Sequence, residues 1–307
     1  MDVWTPLKTD FKKGKLMRTK FVGVMMVALC AVSVLWAGPD GDKIAGKCKV
    51  IGRDRMQGFD RIRFEFEGCM AWVVEPAKPA AGSPWVWCME WPTAFQNRTG
   101  VKELLEAGYR WVTFNPAYGW NKKPLAGNQN DEMVAKRNRF QKFLVQELGL
   151  EEKCCLVGMS WGGFYSVRYA SIHPECVKAM YLDAPLLDFS TLSGFRGKTY
   201  ANIKEFYPQI TEDYCGANDL LQPVHPSRAA TIAKAGIPVL LIYGAVDKVV
   251  PAESNSLRFA DAFEKAGGHL LLWRDNLRGH HPHGLEPGEG CVFVNFFNNA
   301  QKKSNRR

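Results

Sequence analysis

The segment Gly158-Met-Ser-Trp-Gly-Gly163 places a single serine between a short apolar run and a helical pattern. This is the pattern G-x-S-x-G in the strand–turn–helix setting in which it supplies a nucleophile. Glycines two residues before and after Ser160 let the strand and the helix pass closely, so its hydroxyl is held in the open. The amide of Trp161 and the helix start then face negative charge that develops beside the serine. A glycine-rich connection with an incidental serine is the alternative interpretation.

A serine hydroxyl becomes an effective nucleophile only when a base removes its proton and a carboxylate orients that base. Asp247 follows the apolar run Val239–Tyr243, so we expect it at the carboxyl end of a strand. Asp183, at the end of another apolar run, competes for the same role. We favour Asp247 as the acid, because serine, aspartate and histidine then follow one another in the order that this type of sheet uses.

The base is expected among the histidines of Gly279-His-His-Pro-His-Gly284, which follow the last predicted strand. His280 comes directly after Gly279 and is the preferred base. His281 and His283 are retained as alternate bases or as side chains that contact the substrate. A serine, a histidine and an aspartate brought together in this way could cleave an acyl bond through an acyl-enzyme.

Apolar runs that alternate with helical patterns predict how these residues are brought together. Three alternating stretches at the start are typical of antiparallel strands, and from Pro84 onward strands and helices follow in turn, which indicates parallel strands buried on both faces. We predict one α/β domain over residues 38–300, with a mostly parallel central sheet, antiparallel N-terminal strands, helices on both faces and a small cap at about 186–226. The predicted strands are Lys47–Asp54, Arg61–Glu67, Ala71–Val74, Trp85–Met89, Trp111–Phe114, Cys154–Val157, Ala179–Leu182, Val239–Tyr243 and Leu270–Trp273.

Five segments at the predicted strand ends carry a resemblance to a known family. They are Pro84-Trp-Val-Trp87, Gly158-Met-Ser-Trp-Gly-Gly163, Tyr181-Leu-Asp-Ala-Pro185, Tyr243-Gly-Ala-Val-Asp-Lys-Val-Val-Pro251 and Gly279-His-His-Pro-His-Gly-Leu-Glu-Pro287. With them, the chain from about Trp85 to Phe297 resembles the α/β-hydrolase superfamily of serine esterases and lipases, and more narrowly a group of bacterial α/β-hydrolases.

The resemblance implies a role for each candidate residue. Ser160 matches the nucleophile, Asp247 the acid and His280 the base. It also implies a second oxyanion donor in the loop after the strand Trp85–Met89, which is the amide of Glu90 or of Trp91. The chain carries Glu90-Trp91-Pro92 there and not the HGGG found in many lipases, so the identity of this donor stays open.

The N-terminal segment is typical of a secretory signal. Basic residues precede an uninterrupted apolar run of 16 residues, Phe21–Trp36, and small residues follow it. A helix that spans a bilayer needs roughly 20 apolar residues, so the run is short for a membrane anchor. We expect residues 1–37 to be a cleaved signal peptide and the protein to be secreted or periplasmic, with an uncleaved anchor at residues 21–36 as the alternative.

The formal net charge of +9 lies mostly at the two ends of the chain. Residues 1–41 carry a net +3 and the tail 301–307 carries +4, which leaves +2 for the body between them. A nearly neutral body does not favour nucleic acid as a partner. Contact with a membrane is expected only through the N-terminal segment, if it is uncleaved.

The nine cysteines show no metal-binding pattern, because no CxxC pair or His/Cys cluster occurs. No phosphate-binding GxGxxG motif is present either, and we expect no cofactor. Cys154 and Cys155 are adjacent in a predicted strand and should be buried on opposite faces. Cys48 and Cys69 flank a predicted hairpin and are the pair most open to a disulfide.

Tryptophans near the predicted catalytic edge suggest the kind of substrate. Trp87, Trp91, Trp120 and Trp161 could offer aromatic faces to sugar rings, although packing in the core or the cap explains each of them equally well. We expect a small-molecule or carbohydrate ester as substrate, with an acetyl ester of a carbohydrate as the leading example. A serine peptidase of related fold and a non-catalytic protein that binds a ligand are the alternatives.

Overall fold

A computed structural model describes residues 39–115, 130–191 and 226–304. The predicted signal peptide, Trp120, most of the predicted cap and the last three residues of the basic tail lie outside these ranges. None of the helices within them is both long enough and apolar enough to cross a membrane.

The strands are β1 Lys49–Met56, β2 Phe59–Phe66, β3 Cys69–Val74, β4 Trp85–Cys88, β5 Arg110–Asn115, β6 Cys154–Met159, β7 Val177–Asp183, β8 Val239–Gly244 and β9 Leu270–Asp275. The helices are α1 Pro39–Ala45, α2 Val101–Glu106, α3 Asp131–Leu148, α4 Trp161–Ile172, α5 Pro226–Lys234, α6 Ser256–Lys265 and α7 Cys291–Ser304.

The nine strands form one sheet in the order β1-β2-β3-β5-β4-β6-β7-β8-β9. β1, β2 and β3 pair antiparallel and join β5 antiparallel, whereas all later pairs are parallel. The structure thus confirms the predicted α/β fold with its antiparallel start. Parallel strands end at the same edge of the sheet, and this edge receives the loops after β4, β6, β7, β8 and β9.

Two apolar layers cover the sheet, one on each face. The larger layer packs β-strand side chains against α3, α4, α5 and α6, and the smaller one packs the other face against α2 and α7. Cys154 belongs to the first layer and Cys155 to the second, and both are buried, as alternation along a strand requires. Buried strands read as continuous apolar runs because both of their faces are covered.

Trp87 corrects one expectation about the substrate site. Its side chain has no exposed surface and lies in the core, stacked on Trp85 at 5.7 Å between ring centroids and edge-on to Phe140 and Tyr169. β4 is a central strand, so α3 and α4 cover the face from which Trp87 projects. Contact between Trp87 and a substrate was therefore a wrong prediction.

The cysteines correct a second expectation. All seven cysteines of the described residues are free, including Cys48 and Cys69. β2 lies between the strand that follows Cys48 and the strand that begins at Cys69. Strands are spaced about 4.8 Å apart, so the two Cα atoms lie about 10 Å apart, beyond the roughly 7 Å that a disulfide can bridge.

A buried cluster of charges attaches α1 to the sheet. Arg110 on β5 donates to the Asp40 carboxylate, and both side chains are almost fully buried. Glu75, directly after β3, accepts a hydrogen bond from the Gly41 amide at 3.0 Å. Burial and the nearby charge of Asp40 raise the pKa of Glu75 from 4.5 to about 7.

The raised pKa of Glu75 predicts how stability depends on pH. The folded protein keeps a proton that the unfolded chain releases, so stability falls as pH rises from 4.5 to about 7 and stays reduced above it. Glu75→Gln mimics the protonated side chain and can still accept from Gly41. Its melting temperature should exceed that of the wild type at pH 8 and equal it at pH 4.5 in calorimetry. Glu65→Gln, at an exposed carboxylate, is the control, and an equal gain there would contradict the assignment.

Candidate active site

Ser160 occupies the sharp turn between β6 and α4. Its φ and ψ are 50° and −118°, a strained backbone that few side chains adopt outside functional sites. Its amide donates to the Asp183 carbonyl at 3.0 Å, and its own carbonyl accepts from the amides of Gly163 and Leu186 at 2.9 Å each. These bonds to the end of β7 and to the start of α4 hold the turn in place, so the hydroxyl has a defined position.

Two glycines make this turn possible. A Cβ on Gly158 would lie 2.5 Å from the Gly162 carbonyl oxygen and from the Ser166 hydroxyl. A Cβ on Gly163 would lie 2.2 Å from the Cβ of Pro185. Because no real Cβ approaches other atoms so closely, the strand, the helix and the loop after β7 meet only with glycine at both positions.

A chain of hydrogen bonds links Ser160, His280 and Asp247. Nε2 of His280 lies 3.0 Å from Oγ of Ser160, and Nδ1 of the same ring lies 2.8 Å from Oδ2 of Asp247. His280 and Asp247 are both buried, and each has only 8% of its surface exposed. In the tautomer that satisfies both contacts, Nδ1–H donates to Asp247 and Nε2 accepts from the Ser160 hydroxyl. The geometry predicted for these three residues is present.

Asp247 is held as a carboxylate. Its Oδ1 accepts from the amides of Val249 and Val250 at 2.8 and 2.9 Å, while Oδ2 faces His280. Burial alone would raise the pKa of Asp247, but the hydrogen bonds from His280 and the two amides outweigh it and hold that pKa below its ordinary value. At neutral pH the side chain is therefore charged and can stabilise a protonated His280.

The other two histidines of the motif have different surroundings. Nδ1 of His283 lies 2.8 Å from Oδ1 of Asp183, and its Nε2 is buried without a partner among the described residues. His281 is exposed and stacks on Phe95 at 5.5 Å between ring centroids. Partial burial and the positive charges that His280 and His283 can carry lower the pKa of His281. The competing acid Asp183 thus pairs with His283, and His280 is the histidine that contacts the serine.

The loop after β4 reaches the start of α4 beside the nucleophile. A Cβ on Gly162 would lie 3.3 Å from the Glu90 amide nitrogen, so this amide lies beside the first turn of the helix. The Trp91 amide donates to Oε1 of Glu90 at 3.3 Å, and Trp91 itself has a φ of 56°. The sequence left two amides as candidates for the second oxyanion donor, those of Glu90 and Trp91. Of these, the Trp91 amide already donates a hydrogen bond to the Glu90 carboxylate.

Aromatic side chains lie at this edge of the sheet. Trp161 is half-buried and packs on Phe189 at 5.8 Å between ring centroids, and Trp91 is also half-buried. Trp120 lies outside the described residues, so its expected contact with substrate stays a prediction. Within the described ranges, no group of three or more His, Cys, Asp or Glu side chains is arranged to hold a metal ion.

Two further side chains, which the sequence reasoning did not identify, hold loops of the site. Asn255 is fully buried; its Oδ1 accepts from the amides of Leu187 and Asp188 at 2.7 Å each, and its Nδ2 donates to the Pro251 carbonyl at 2.9 Å. It therefore joins the chain after β7 to the loop that carries Asp247. Arg98 donates to the His283 carbonyl at 3.3 Å and joins the loops after β4 and β9. Both residues stand among other polar residues, in Glu253-Ser-Asn-Ser256 and in Gln96-Asn-Arg-Thr99, so no local signal in the sequence indicated either of them.

Comparison with known proteins identifies the fold that carries this arrangement. A family model described as the alpha/beta hydrolase fold matches residues 91–209, which include Ser160 and Asp183. The sheet order and the turn at Ser160 agree with that match. The chain has the α/β-hydrolase fold. No curated protein matches the chain by sequence.

Solved structures share the fold of this chain at low sequence identity. The S-formylglutathione hydrolase from Agrobacterium tumefaciens aligns with a TM-score of 0.54 and 17% identity over 84% of this chain and 99% of that chain. The acylaminoacyl peptidase from Pyrococcus horikoshii aligns with a TM-score of 0.57 and 19% identity, over 83% of this chain and 42% of that chain. The dipeptidyl peptidase 4 from Porphyromonas gingivalis aligns with a TM-score of 0.54 and 15% identity, over 76% of this chain and 33% of that chain. The chain thus spans less than half of the length of these two peptidases.

The packing of the turn predicts the effect of a single methyl group. Gly163→Ala should lower the free energy of unfolding by about 1–3 kcal/mol, because its Cβ would overlap Pro185. Gly46→Ala is the matched control, since the nearest atom to its Cβ would be 3.6 Å away. Urea denaturation followed by circular dichroism measures both. Equal stabilities for the two variants would contradict the close packing at Gly163.

Proposed function

We propose that this α/β-hydrolase is a serine hydrolase that cleaves a carboxylic ester through an acyl-enzyme. The observation that supports this proposal most strongly is the chain of hydrogen bonds from Asp247 through His280 to Ser160, with contacts of 2.8 and 3.0 Å. A structural serine would need neither a strained backbone nor a buried histidine at its hydroxyl. The same three groups in this relation activate serine in unrelated folds.

The proposed reaction proceeds in two halves. Oγ of Ser160 attacks the ester carbonyl carbon while Nε2 of His280 takes the hydroxyl proton, and the carbonyl electron pair moves onto oxygen. As the intermediate collapses, the bond to the alcohol oxygen breaks and His280 returns the proton to that oxygen. Water then attacks the acyl-enzyme with His280 again as base, which releases the acid and frees Ser160. Asp247 stays ionised and stabilises the imidazolium in both halves.

Two amides are proposed to bind the oxyanion. The Trp161 amide opens α4 directly after the nucleophile, where the partial positive charge of a helix start adds to its effect. We assign the second donor to the Glu90 amide, because it lies beside Gly162 and the Trp91 amide already donates to the Glu90 carboxylate. Each donor aimed at developing negative charge contributes about 3 kcal/mol of transition-state stabilisation in enzymes of this type.

A small acyl group on a carbohydrate is the substrate that we propose. Trp161 directly follows the nucleophile, is half-buried and packs on the fully buried Phe164 and Phe189, so its partly exposed ring favours an apolar acyl group over a charged one. The half-buried Trp91 and the exposed His281 offer flat faces to the alcohol part, as sugar rings prefer. A signal peptide at residues 1–37 would bring the enzyme to such substrates outside the cytoplasm.

The solved structures with the same fold favour peptide hydrolysis as the second candidate. They include an acylaminoacyl peptidase and a dipeptidyl peptidase, and a serine, histidine and aspartate in this geometry can also cleave amides. A protein that only binds a ligand through this fold is the third possibility. It would show no turnover and no covalent labelling of Ser160.

Substitution of the three residues tests the nucleophile directly. A fluorophosphonate probe should label the wild type and the control Ser171→Ala, whose hydroxyl donates to the Arg168 carbonyl on α4. Ser160→Ala should not be labelled. On a p-nitrophenyl ester, Ser160→Ala and His280→Gln should each lower kcat by about 10⁴-fold or more, and Asp247→Asn by about 10³–10⁴-fold. Labelling that survives in Ser160→Ala would exclude this serine as the nucleophile.

A substrate panel separates the proposed ester from the peptide alternative. Acetylated sugars, methyl-esterified sugars, simple alkyl esters and a peptide library are compared by kcat/KM. We expect acetylated sugars to be cleaved best and peptides to remain intact. Peptide cleavage with a higher kcat/KM than any ester would contradict the proposed substrate class while leaving Ser160 as nucleophile.

A further inference from the structure

Asp183 is a buried carboxylate beside the triad that the proposed reaction does not use. It ends β7, has no exposed surface and receives five hydrogen bonds. The Tyr181 hydroxyl donates at 2.6 Å from the same strand. The other bonds come from the loop that carries His280: two from Arg278 at 3.2 and 3.4 Å, one from His283 at 2.8 Å and one from the Gly284 amide at 2.8 Å.

These contacts lie on both sides of His280 in the chain. Arg278 precedes it by two residues, and His283 and Gly284 follow it. Arg278 also donates to the Gly284 carbonyl at 2.8 Å, so the loop closes on itself around the carboxylate. His280 is therefore the part of the loop that lies between two points fixed on Asp183, and these bonds restrain the backbone on both sides of its ring.

The backbone of Asp183 holds the nucleophile as well. Its carbonyl accepts the hydrogen bond from the Ser160 amide at 3.0 Å. One residue thus fixes the turn that carries the serine and the loop that carries the base. Asp247 does not provide this link, since it touches His280 and the amides of its own loop.

We infer that Asp183, through His283 and Arg278, is a positioning residue that sets the distance between Ser160 and His280. This inference rests on the proposed function, because it concerns the same serine and base. Proton transfer requires the two atoms within hydrogen-bond distance, and a displacement of about 1 Å can cost about 10²-fold in rate. The carboxylate does not take part in the reaction itself.

The charges of this network determine which substitution is informative. Asp183 and Arg278 form a buried ion pair, and removal of one partner would leave the other buried and uncompensated. The hydrogen bonds and positive charges around Asp183 hold its pKa below the ordinary value although burial would raise it. His283 can be changed without isolating the ion pair, so it provides the cleaner test.

The decisive experiment compares two substitutions at His283 with a matched control. His283→Leu removes the donor to Asp183 at similar size, whereas His283→Asn places an amide donor where Nδ1 lies. Gln141→Leu is the control, since Gln141 is equally buried and bonds to the carbonyls of Glu152 and Cys176 at the opposite edge of the sheet. Measurements are kcat, KM and melting temperature, with kinetics recorded well below each melting temperature.

His283→Leu should lower kcat by about 10²-fold with KM nearly unchanged, and His283→Asn should recover most of it. Gln141→Leu should lower the melting temperature and leave kcat unchanged. A wild-type kcat in folded His283→Leu would overturn the inference. If His283→Leu does not fold, the double variant Asp183→Asn with Arg278→Gln replaces the ion pair as a unit. A wild-type kcat in that double variant would equally overturn the inference.

A crystal structure gives a readout that does not depend on turnover. In His283→Leu, Nε2 of His280 should lie beyond hydrogen-bond distance of Oγ of Ser160, compared with 3.0 Å in the wild type. A retained contact would overturn the inference. Failure of the proposed function would look different, because the wild type itself would then show neither turnover nor fluorophosphonate labelling.

Discussion

The hydrogen bond between Oγ of Ser160 and Nε2 of His280 joins residues 120 positions apart in the chain, and it depends on the register of the strands β6, β7, β8 and β9. Met159 lies opposite Asp183 in the pairing of β6 with β7, and Asp183 lies opposite Ile242 in that of β7 with β8. The strand ends are thereby level at one edge of the sheet. Glycine at positions 158 and 163 then lets the turn at Ser160 approach its neighbours.

Two buried aspartate–histidine pairs lie side by side at this edge. Asp247 receives two backbone amides and His280, and Asp183 receives a hydroxyl, a guanidinium, an amide and His283. Hydrogen bonds hold the pKa of each carboxylate below its ordinary value against the opposing effect of burial. The pair Asp247–His280 contacts the serine hydroxyl, whereas the pair Asp183–His283 holds the loop that carries His280 and, through the Asp183 carbonyl, the backbone of Ser160.

Local patterns in the sequence predicted the fold and the residues of the hydrogen-bonded chain. Ser160 stands in a pentapeptide whose glycines have a direct steric reason. Asp247 follows an apolar run that forms the buried strand β8, and His280 follows a second apolar run that forms β9, whose side chains are largely exposed at the edge of the sheet. The antiparallel start was also predictable, since the alternation of apolar and polar residues along a strand indicates that only one of its faces is covered. These features depend on neighbours in sequence, and sequence reasoning could reach them.

Features that depend on which distant strands become neighbours were not predictable in this way. Trp87 lies near the end of a predicted strand, as the residues of the site do, but its strand is central in the sheet and its ring is buried. Cys48 and Cys69 are separated by β2, which only the pairing of the hairpin reveals. The link from Asp183 to His283 and Arg278 joins β7 to a loop about 100 residues later, and no local signal marks it.

Detection of the acyl-enzyme tests most directly whether Ser160 is the nucleophile. The protein is mixed with p-nitrophenyl acetate and quenched in acid during the first turnover, and peptides from the digest are weighed by mass spectrometry. If Ser160 is the nucleophile, an acetyl group should be found on the peptide that contains Ser160, together with a burst of p-nitrophenol equal in amount to the enzyme. Turnover without any acetylated peptide, or acetyl on another residue that decays at the rate of turnover, would contradict it.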